Sequence, residues 1–328
     1  MYSDNNDTLP ADIGFIGLGA MGKPMVMNLA RKLIPGSRLY VHDAVAAAME
    51  EVEGLCASAT NIILTMLPEG AHVKSVYLDP ESGIIASLSR TSTRPFPDKL
   101  LIDSSTIDTA TNLHVKEQLS PFTTSFYDAP VSGGVIGATN ATIAFFLGSS
   151  TSDANLTRLT PLLQTMGGKV IPCGGPSLGL AAKLSNNYLS GVITIACSEA
   201  MDMGMRAGID ADVLASVFAA GTAQNTICDV FNPVPGVCPK APSSNGYTGG
   251  FRVQLMKKDF GLAMDMARRV GARNALGASG LGIYTAASEA EDCRDRDSRV
   301  VYRYLGGKED WLHRRKEVEE EGNQNRSP

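Results

Sequence analysis

The chain has 328 residues, of which 44% are hydrophobic and 19% charged, and a formal net charge of −5 at pH 7. That length exceeds one ordinary core and predicts two domains, and the composition is that of a soluble globular protein. The acidic balance argues against a nucleic-acid surface, which needs a basic excess on some face, and no uninterrupted apolar run is long enough to span a bilayer.

The N-terminal MYSDNNDTLPAD is short, acidic and free of arginine, unlike a transit peptide or a secretory signal, so the chain reads as cytoplasmic. A chain missing its presequence would look the same. Ile13–Ile16 then forms a compact apolar run, followed at once by Gly17-Leu18-Gly19-Ala20-Met21-Gly22 and a helical pattern from Lys23 to Ala30. This is G-x-G-x-x-G between a strand and a helix, the setting in which it binds a dinucleotide. Gly17 serves the turn, Gly19 the approach of a pyrophosphate, and Gly22 the packing of helix on strand. The helix N-terminus offers free N–H groups to the phosphates. A second strand is expected at Arg38–His42, and Asp43 follows it. An acid at that point binds a ribose 2′-hydroxyl and repels a 2′-phosphate, which favours NAD over NADP. The other reading of Asp43 is a cap for a helix starting at Ala44.

Further strands are expected at Asn61–Met66, Leu100–Asp103, Phe126–Ala129 and Ile143–Leu147, with helical segments between Asp43 and Asn61 and between Ser105 and Pro121. Such alternation predicts an α/β fold, a doubly wound and mostly parallel sheet whose ligands lie beyond the carboxyl ends of the strands. Three strand-end motifs stand there: Met66-Leu67-Pro68, Asp103-Ser104-Ser105-Thr106 and Pro130-Val131-Ser132-Gly133-Gly134. The last could hold a carboxylate on a hydroxyl and glycine amides, or be an ordinary glycine-rich turn. Ser87–Asp98 reads as a surface loop.

Gly174-Gly175-Pro176 interrupts the chain and divides it into residues 1–176 and 177–328. A long helix follows, from Gly179 to about Gly208. Its Lys183 and Asn187 are four apart and share one face. Lysines on half-buried faces lose basicity through desolvation, which suits proton transfer at an alcohol oxygen. The alternative is a surface lysine whose stem lies along an apolar seam. Helices are expected at Asp210–Ala220 and Phe251–Val270, separated by an irregular segment, Asn232–Gly250. Lys308–Pro328 is densely charged and reads as a frayed helix with a disordered end that requires no function. The six cysteines (Cys56, Cys173, Cys197, Cys228, Cys238, Cys293) form no C-x-x-C pair, so a zinc site is not expected and a reducing compartment is the simpler setting.

Taken together, GFIGLGAMGKPMVMNL, LIDSSTID at Leu101–Asp108, DAPVSGGVIGA at Asp128–Ala138, the Lys183 helix and LMKKDFGLAMDMA at Leu255–Ala267 resemble the β-hydroxyacid dehydrogenase family, over roughly Ile13–Leu305. FNPVPGV at Phe231–Val237 and NGYTGGF at Asn245–Phe251 look like the branch that oxidises 3-hydroxyisobutyrate to methylmalonate semialdehyde. The resemblance implies a Rossmann-like N-terminal domain and an all-α C-terminal domain joined by the long helix. It also implies a small hydroxyacid substrate, NAD and no metal, and a homodimer or homotetramer. Lys183 becomes the catalytic acid/base, with Asn187 holding the substrate and Ser132, Gly133 and Gly134 taking its carboxylate. Gly17, Gly19, Ala20, Met21, Gly22, Asp43, Met66, Leu67, Pro68 and Thr106 line the cofactor. Lys258 lies near cofactor and substrate, with Lys257 as its alternative.

Valine breakdown, where that branch acts, points instead to the mitochondrial matrix. Competing readings are a tartronate semialdehyde or glyoxylate reductase, and a nucleotide-binding relative without catalysis. The sequence departs from the family at Ser177 and Ala141, where the resemblance puts glycine, and at Asp108-Thr109 in place of Asp-Pro.

Overall fold

The computed structural model describes residues 12–33, 36–50, 60–90, 99–122 and 124–311. Two compact units divide the chain between Ser185 and Asn186, inside the long helix. The first is built on five parallel strands: β1 (Asp12–Ile16), β2 (Arg38–His42), β3 (Ile62–Thr65), β4 (Lys99–Asp103) and β5 (Thr124–Asp128). They lie in the order β2-β1-β3-β4-β5. Between them run α1 (Gly22–Lys32), α2 (Ala46–Glu50), α3 (Gly70–Leu78), α4 (Ile84–Arg90) and α5 (Thr109–Leu119).

The sheet is covered on both faces because its strands alternate between two cores. Leu100 and Ile102 of β4 join Ile13, Phe15 and Leu64 in one core, whereas Leu101 joins Val73, Tyr77 and Val115 in the other. The strand order reverses direction at β1, so the crevice between the carboxyl ends of β1 and β3 is the place where such sheets take ligands.

A second sheet was not legible in the sequence. β6 (Val131–Ser132) pairs antiparallel with β7 (Ile143–Leu147), and β7 pairs parallel with β8 (Gly167–Pro172). β6 is two residues long and is followed at once by two glycines, and β8 opens on Gly167-Gly168 with a largely exposed pattern, so neither carries a periodic signal. Helices α6 (Gly134–Thr139) and α7 (Leu156–Gln164) flank this sheet. The expected Ser87–Asp98 loop needs correction. Ser87–Arg90 is the last turn of α4, which buries Ile84 and Leu88 in the second core, and 91–98 lie outside the described residues.

The long helix α8 (Leu178–Arg206) leads into the second unit, with α9 (Ala211–Ala220), α10 (Thr226–Val230), α11 (Val253–Val270), α12 (Gly277–Glu289) and α13 (Val301–Tyr304). Asp210 caps α9, its carboxylate accepting the N–H of Asp212 and Val213. α12 escaped the sequence because its three glycines blur the helical period. The Asn232–Gly250 segment is ordered and contains one 3-10 turn, Pro242–Asn245. The charged tail is also corrected at its start. The Trp311 ring is buried in a core with Met201, Leu214 and Tyr302, its indole N–H donates to Pro235 O at 2.8 Å, and Arg303 pairs with Glu309 at 2.7 Å. Residues 312–328 lie outside the described residues, as do the N-terminal eleven and Cys56. Among the described residues no helix is long and apolar enough to cross a membrane, and no group of His, Cys, Asp or Glu could hold a metal ion.

Candidate active site

The glycine-rich turn sits at the carboxyl end of β1, where Gly17 N donates to His42 O at 2.8 Å and Met66 N to Ile16 O at 2.9 Å. Gly22 is required by packing: a Cβ there would stand 1.9 Å from Gly17 O. Gly19 is the opposite case. Nothing lies within 4 Å of where its Cβ would be, so the backbone is open to an approaching ligand. A cleft of about 530 Å³ adjoins it, lined in part by Gly19, Ala20, Lys23, Asn28, Arg31 and Val135. An open backbone, a helix N-terminus and the Lys23 side chain in its first turn fit the pyrophosphate of a dinucleotide, whereas Arg31 lies in the last turn of α1.

Asp43 does not cap a helix at Ala44, since α2 begins at Ala46. One of its oxygens accepts the Leu18 N–H at 2.6 Å and the other the Val45 N–H at 2.8 Å, so it ties the end of β2 to the turn. Met66 and Leu67 are held by a buried network. Leu67 N donates to Ser105 Oγ (2.8 Å), whose hydroxyl donates to Asp103 Oδ1 (2.5 Å); Thr65 Oγ1 donates to the same oxygen (2.7 Å) and meets Tyr77 Oη at 3.0 Å. Burial raises the Asp103 pKa despite these donors. The neighbouring half-buried Thr106 and exposed Pro68 continue the two motifs.

At the end of β5, Asp128 is 2% exposed and accepts Ser177 N at 2.7 Å and Leu180 N at 2.8 Å. It thereby anchors the first turn of α8, the helix that carries Lys183. Burial, with a smaller contribution from the Asp103 carboxylate, outweighs those hydrogen bonds and pushes its pKa up to about 6. Ser132 is half-buried at the end of β6, and Gly133 and Gly134 are exposed at the start of α6. α6 is fastened to α1 by Asn28, whose amide donates to Ala138 O (2.7 Å) and Thr139 O (3.1 Å). Asn28 was passed over in the sequence, although a polar residue within the apolar run MVMNLA was a usable signal.

Lys183 and Asn187 are both buried, one turn apart on α8. In the second unit Asn187 Nδ2 donates to Asp259 Oδ2 at 2.6 Å, and the Lys258 ammonium lies 3.2 Å from Asp259 Oδ1. Asp259, buried and unmarked in the sequence reading, joins Asn187 to Lys258. Lys257 pairs instead with the exposed Glu289 at 3.3 Å.

Both glycine-to-non-glycine departures fall on left-handed backbone: Ala141 has φ 52° and Ser177 φ 63°. Ser177 recovers part of the strain, since its hydroxyl donates to Thr109 O at 3.2 Å, whereas the Ala141 methyl makes no such bond. Ala141→Gly is expected to stabilise the fold by about 0.5–1 kcal/mol, the relief of strain exceeding the added unfolded-state entropy. Ser177→Gly is expected to be near neutral. Urea midpoints of the two variants check the contrast, and a destabilised Ala141→Gly would refute it.

Two family models cover the chain. Residues 12–175 match the NAD binding domain of 6-phosphogluconate dehydrogenase, and 178–305 match the NAD-binding domain of NADP-dependent 3-hydroxyisobutyrate dehydrogenase. The 3-hydroxyisobutyrate dehydrogenase of Pseudomonas aeruginosa is 38% identical over 85% of this chain and 93% of its own length. The NAD-dependent L-serine dehydrogenase of that bacterium is 34% identical over 88% of this chain and 96% of its own. Among solved structures, the 3-hydroxyisobutyrate dehydrogenase of Mycobacterium tuberculosis with L-serine superposes with a TM-score of 0.79 at 33% identity, covering 90% of this chain and 99% of that one. With the doubly wound sheet, the open glycine turn and the helical second unit, these matches give one conclusion: the chain belongs to the 3-hydroxyisobutyrate dehydrogenase family of NAD-dependent oxidoreductases.

Proposed function

We propose that the chain oxidises 3-hydroxyisobutyrate to methylmalonate semialdehyde, a step of valine degradation, with Lys183 as the acid/base. NAD, when bound, supplies the hydride acceptor. Lys183 takes the hydroxyl proton of the substrate as oxidation proceeds, and returns it to the aldehyde oxygen in the reverse direction. Asn187 holds the substrate next to that oxygen, its amide turned by Asp259. The Ser132 hydroxyl and the Gly133 and Gly134 amides take the carboxylate. Gly17 to Gly22, Met66, Leu67, Pro68, Thr106 and Lys258 border the cofactor, and the Asp43 carboxylate disfavours a 2′-phosphate, which supports NAD over NADP.

The observation that carries the reading is the burial of Lys183 and Asn187 on one face of α8, a helix pinned at its start by Asp128. L-Serine is the second candidate, favoured by the serine dehydrogenase relative and the serine-bound neighbour. It has the same three-carbon 3-hydroxyacid frame, with an ammonium in place of a methyl group. The exposed Leu189, Met203, Val213 and Val217 of the helical unit support a homodimer or homotetramer, which sedimentation at micromolar concentration separates from a monomer.

The test is NADH formation from 3-hydroxyisobutyrate beside L-serine, tartronate-type and glycolate-type substrates, with NAD and NADP in parallel. A kcat/KM for 3-hydroxyisobutyrate with NAD at least about 10-fold above the others is expected, a difference of about 1.4 kcal/mol in transition-state binding. A higher kcat/KM for serine would move the assignment to serine oxidation.

A further inference from the structure

Cys197 on α8 and Cys228 on α10 take no part in the proposed reaction, yet they form a specific pair within the second unit. Both are free and buried, and their Sγ atoms lie 3.5 Å apart. Buried cysteines often serve only as small apolar fillers. Here a polar group is aimed at one of the sulfurs: Asn225 Nδ2 donates to Cys228 Sγ at 3.1 Å, while Asn225 Oδ1 accepts the Cys228 N–H at 3.0 Å. Asn225 thus holds both the backbone and the sulfur of Cys228, and that sulfur meets its partner at 3.5 Å. A disulfide has an S–S length of about 2.05 Å, so closing the pair needs about 1.5 Å of movement.

The two thiols are also unequal. With Cys228 ionised, the Cys197 S–H and the Asn225 amide both donate to it. Together they lower its pKa, against burial and the nearby Asp229 carboxylate. Cys197 is driven the other way by the same hydrogen bond and by burial, with a further contribution from Cys238. One thiol suited to attack beside one that stays protonated is the arrangement of a reactive and a resolving cysteine.

We propose that Cys197 and Cys228 are a redox-active pair that a hydroperoxide converts into a disulfide, Cys228 attacking and Cys197 resolving. The Cys228 thiolate attacks the peroxide, the O–O bond breaks, and the leaving oxygen departs as an alcohol, or as water, with the thiol proton. The resulting sulfenic acid is then attacked by the Cys197 sulfur; the S–S bond forms, the S–O bond breaks, and the oxygen leaves as water with the Cys197 proton. Two thiols lose two electrons and two protons, and the peroxide is reduced by the same number.

Closure would pull on a defined segment. The Asn232 amide donates to Cys228 O at 3.2 Å, its side-chain oxygen accepts Val234 N, and its backbone carbonyl accepts the Ser243 hydroxyl at 2.6 Å. Movement at Cys228 is thereby passed into the Phe231–Val237 stretch.

The test uses the reduced full-length chain, treated with hydrogen peroxide, blocked with iodoacetamide, digested and mapped by mass. The peptides bearing Cys197 and Cys228 are expected as one linked species, two hydrogens lighter than their sum and absent after dithiothreitol. Cys197→Ser should abolish the link and expose Cys228 to labelling by dimedone, whereas Cys238→Ser should keep the link. Cys197→Ala gives a second route to the dimedone result if the serine variant folds poorly. The proposal fails if both cysteines are recovered alkylated after peroxide treatment, or if Cys228 is found bridged to Cys238 instead. An unlabelled Cys228 in both Cys197 variants would overturn its role as the attacking thiol.

Discussion

Lys183→Ala is expected to lower kcat by about 10²–10⁴-fold, the usual contribution of a positioned acid/base, while the NAD dissociation constant stays within about twofold of wild type. The asymmetry follows from position. Lys183 lies on α8, whereas the glycine turn, Asp43 and the Met66-Leu67 stretch are held by β1 to β4 through hydrogen bonds that do not involve it. Lys183→Arg should be nearly as slow, because a guanidinium keeps its proton across the working range. Steady-state NADH formation and titration of NAD by protein fluorescence separate the two quantities. An alanine variant retaining more than about a tenth of wild-type kcat would remove Lys183 from the proton-transfer role.

Asp128→Ala is expected to destabilise the first unit by about 3 kcal/mol or more, since it strands two buried backbone donors, Ser177 N and Leu180 N. It should also depress turnover, because those donors begin the helix that carries Lys183. The native protein carries a pH signature from the same residue. Its folded pKa, about 6, lies above the unfolded value near 3.8, so between those limits the native state binds more protons than the unfolded state. Its contribution to stability therefore falls as pH rises from about 4 to 6, by about 3 kcal/mol, and is level above that. Asp128→Asn removes the titration. Subtracting its urea-unfolding profile from that of the wild type should reveal this downward step, and a flat difference would contradict it.

The fold was legible where burial imposes a period. Ile13–Ile16, Leu100–Asp103 and Ile143–Leu147 are apolar runs with clear punctuation, and all lie in strands of the structure. β5 begins earlier than its apolar run suggests, because backbone pairing continues through Thr124 and Ser125 whatever their side chains. β6 and β8 depend on pairing with β7 and leave almost no local trace.

The candidate site divides in the same way. Residues with their own motif, such as the glycine turn and the Lys183 helix, could be named from the sequence alone. The supporting acids could not. Apart from the adjacent Lys258, Asp103, Asp128 and Asp259 act on groups 2 to 72 positions away, several of them backbone amides, and such partners are not written in a carboxylate's neighbours. Ala141 and Ser177 were visible as departures, but only the backbone shows what they share, a left-handed conformation that glycine would adopt without strain.

The bonds from Leu18 and Val45 to Asp43 bear on how a nucleotide arrives as well as on which one is preferred. The groups that would meet it are already hydrogen-bonded into the fold of the free chain. Association should then proceed in one step, its observed rate rising in proportion to nucleotide concentration without a plateau. The conformational entropy of the turn is lost when the chain folds, and so it does not weaken the encounter.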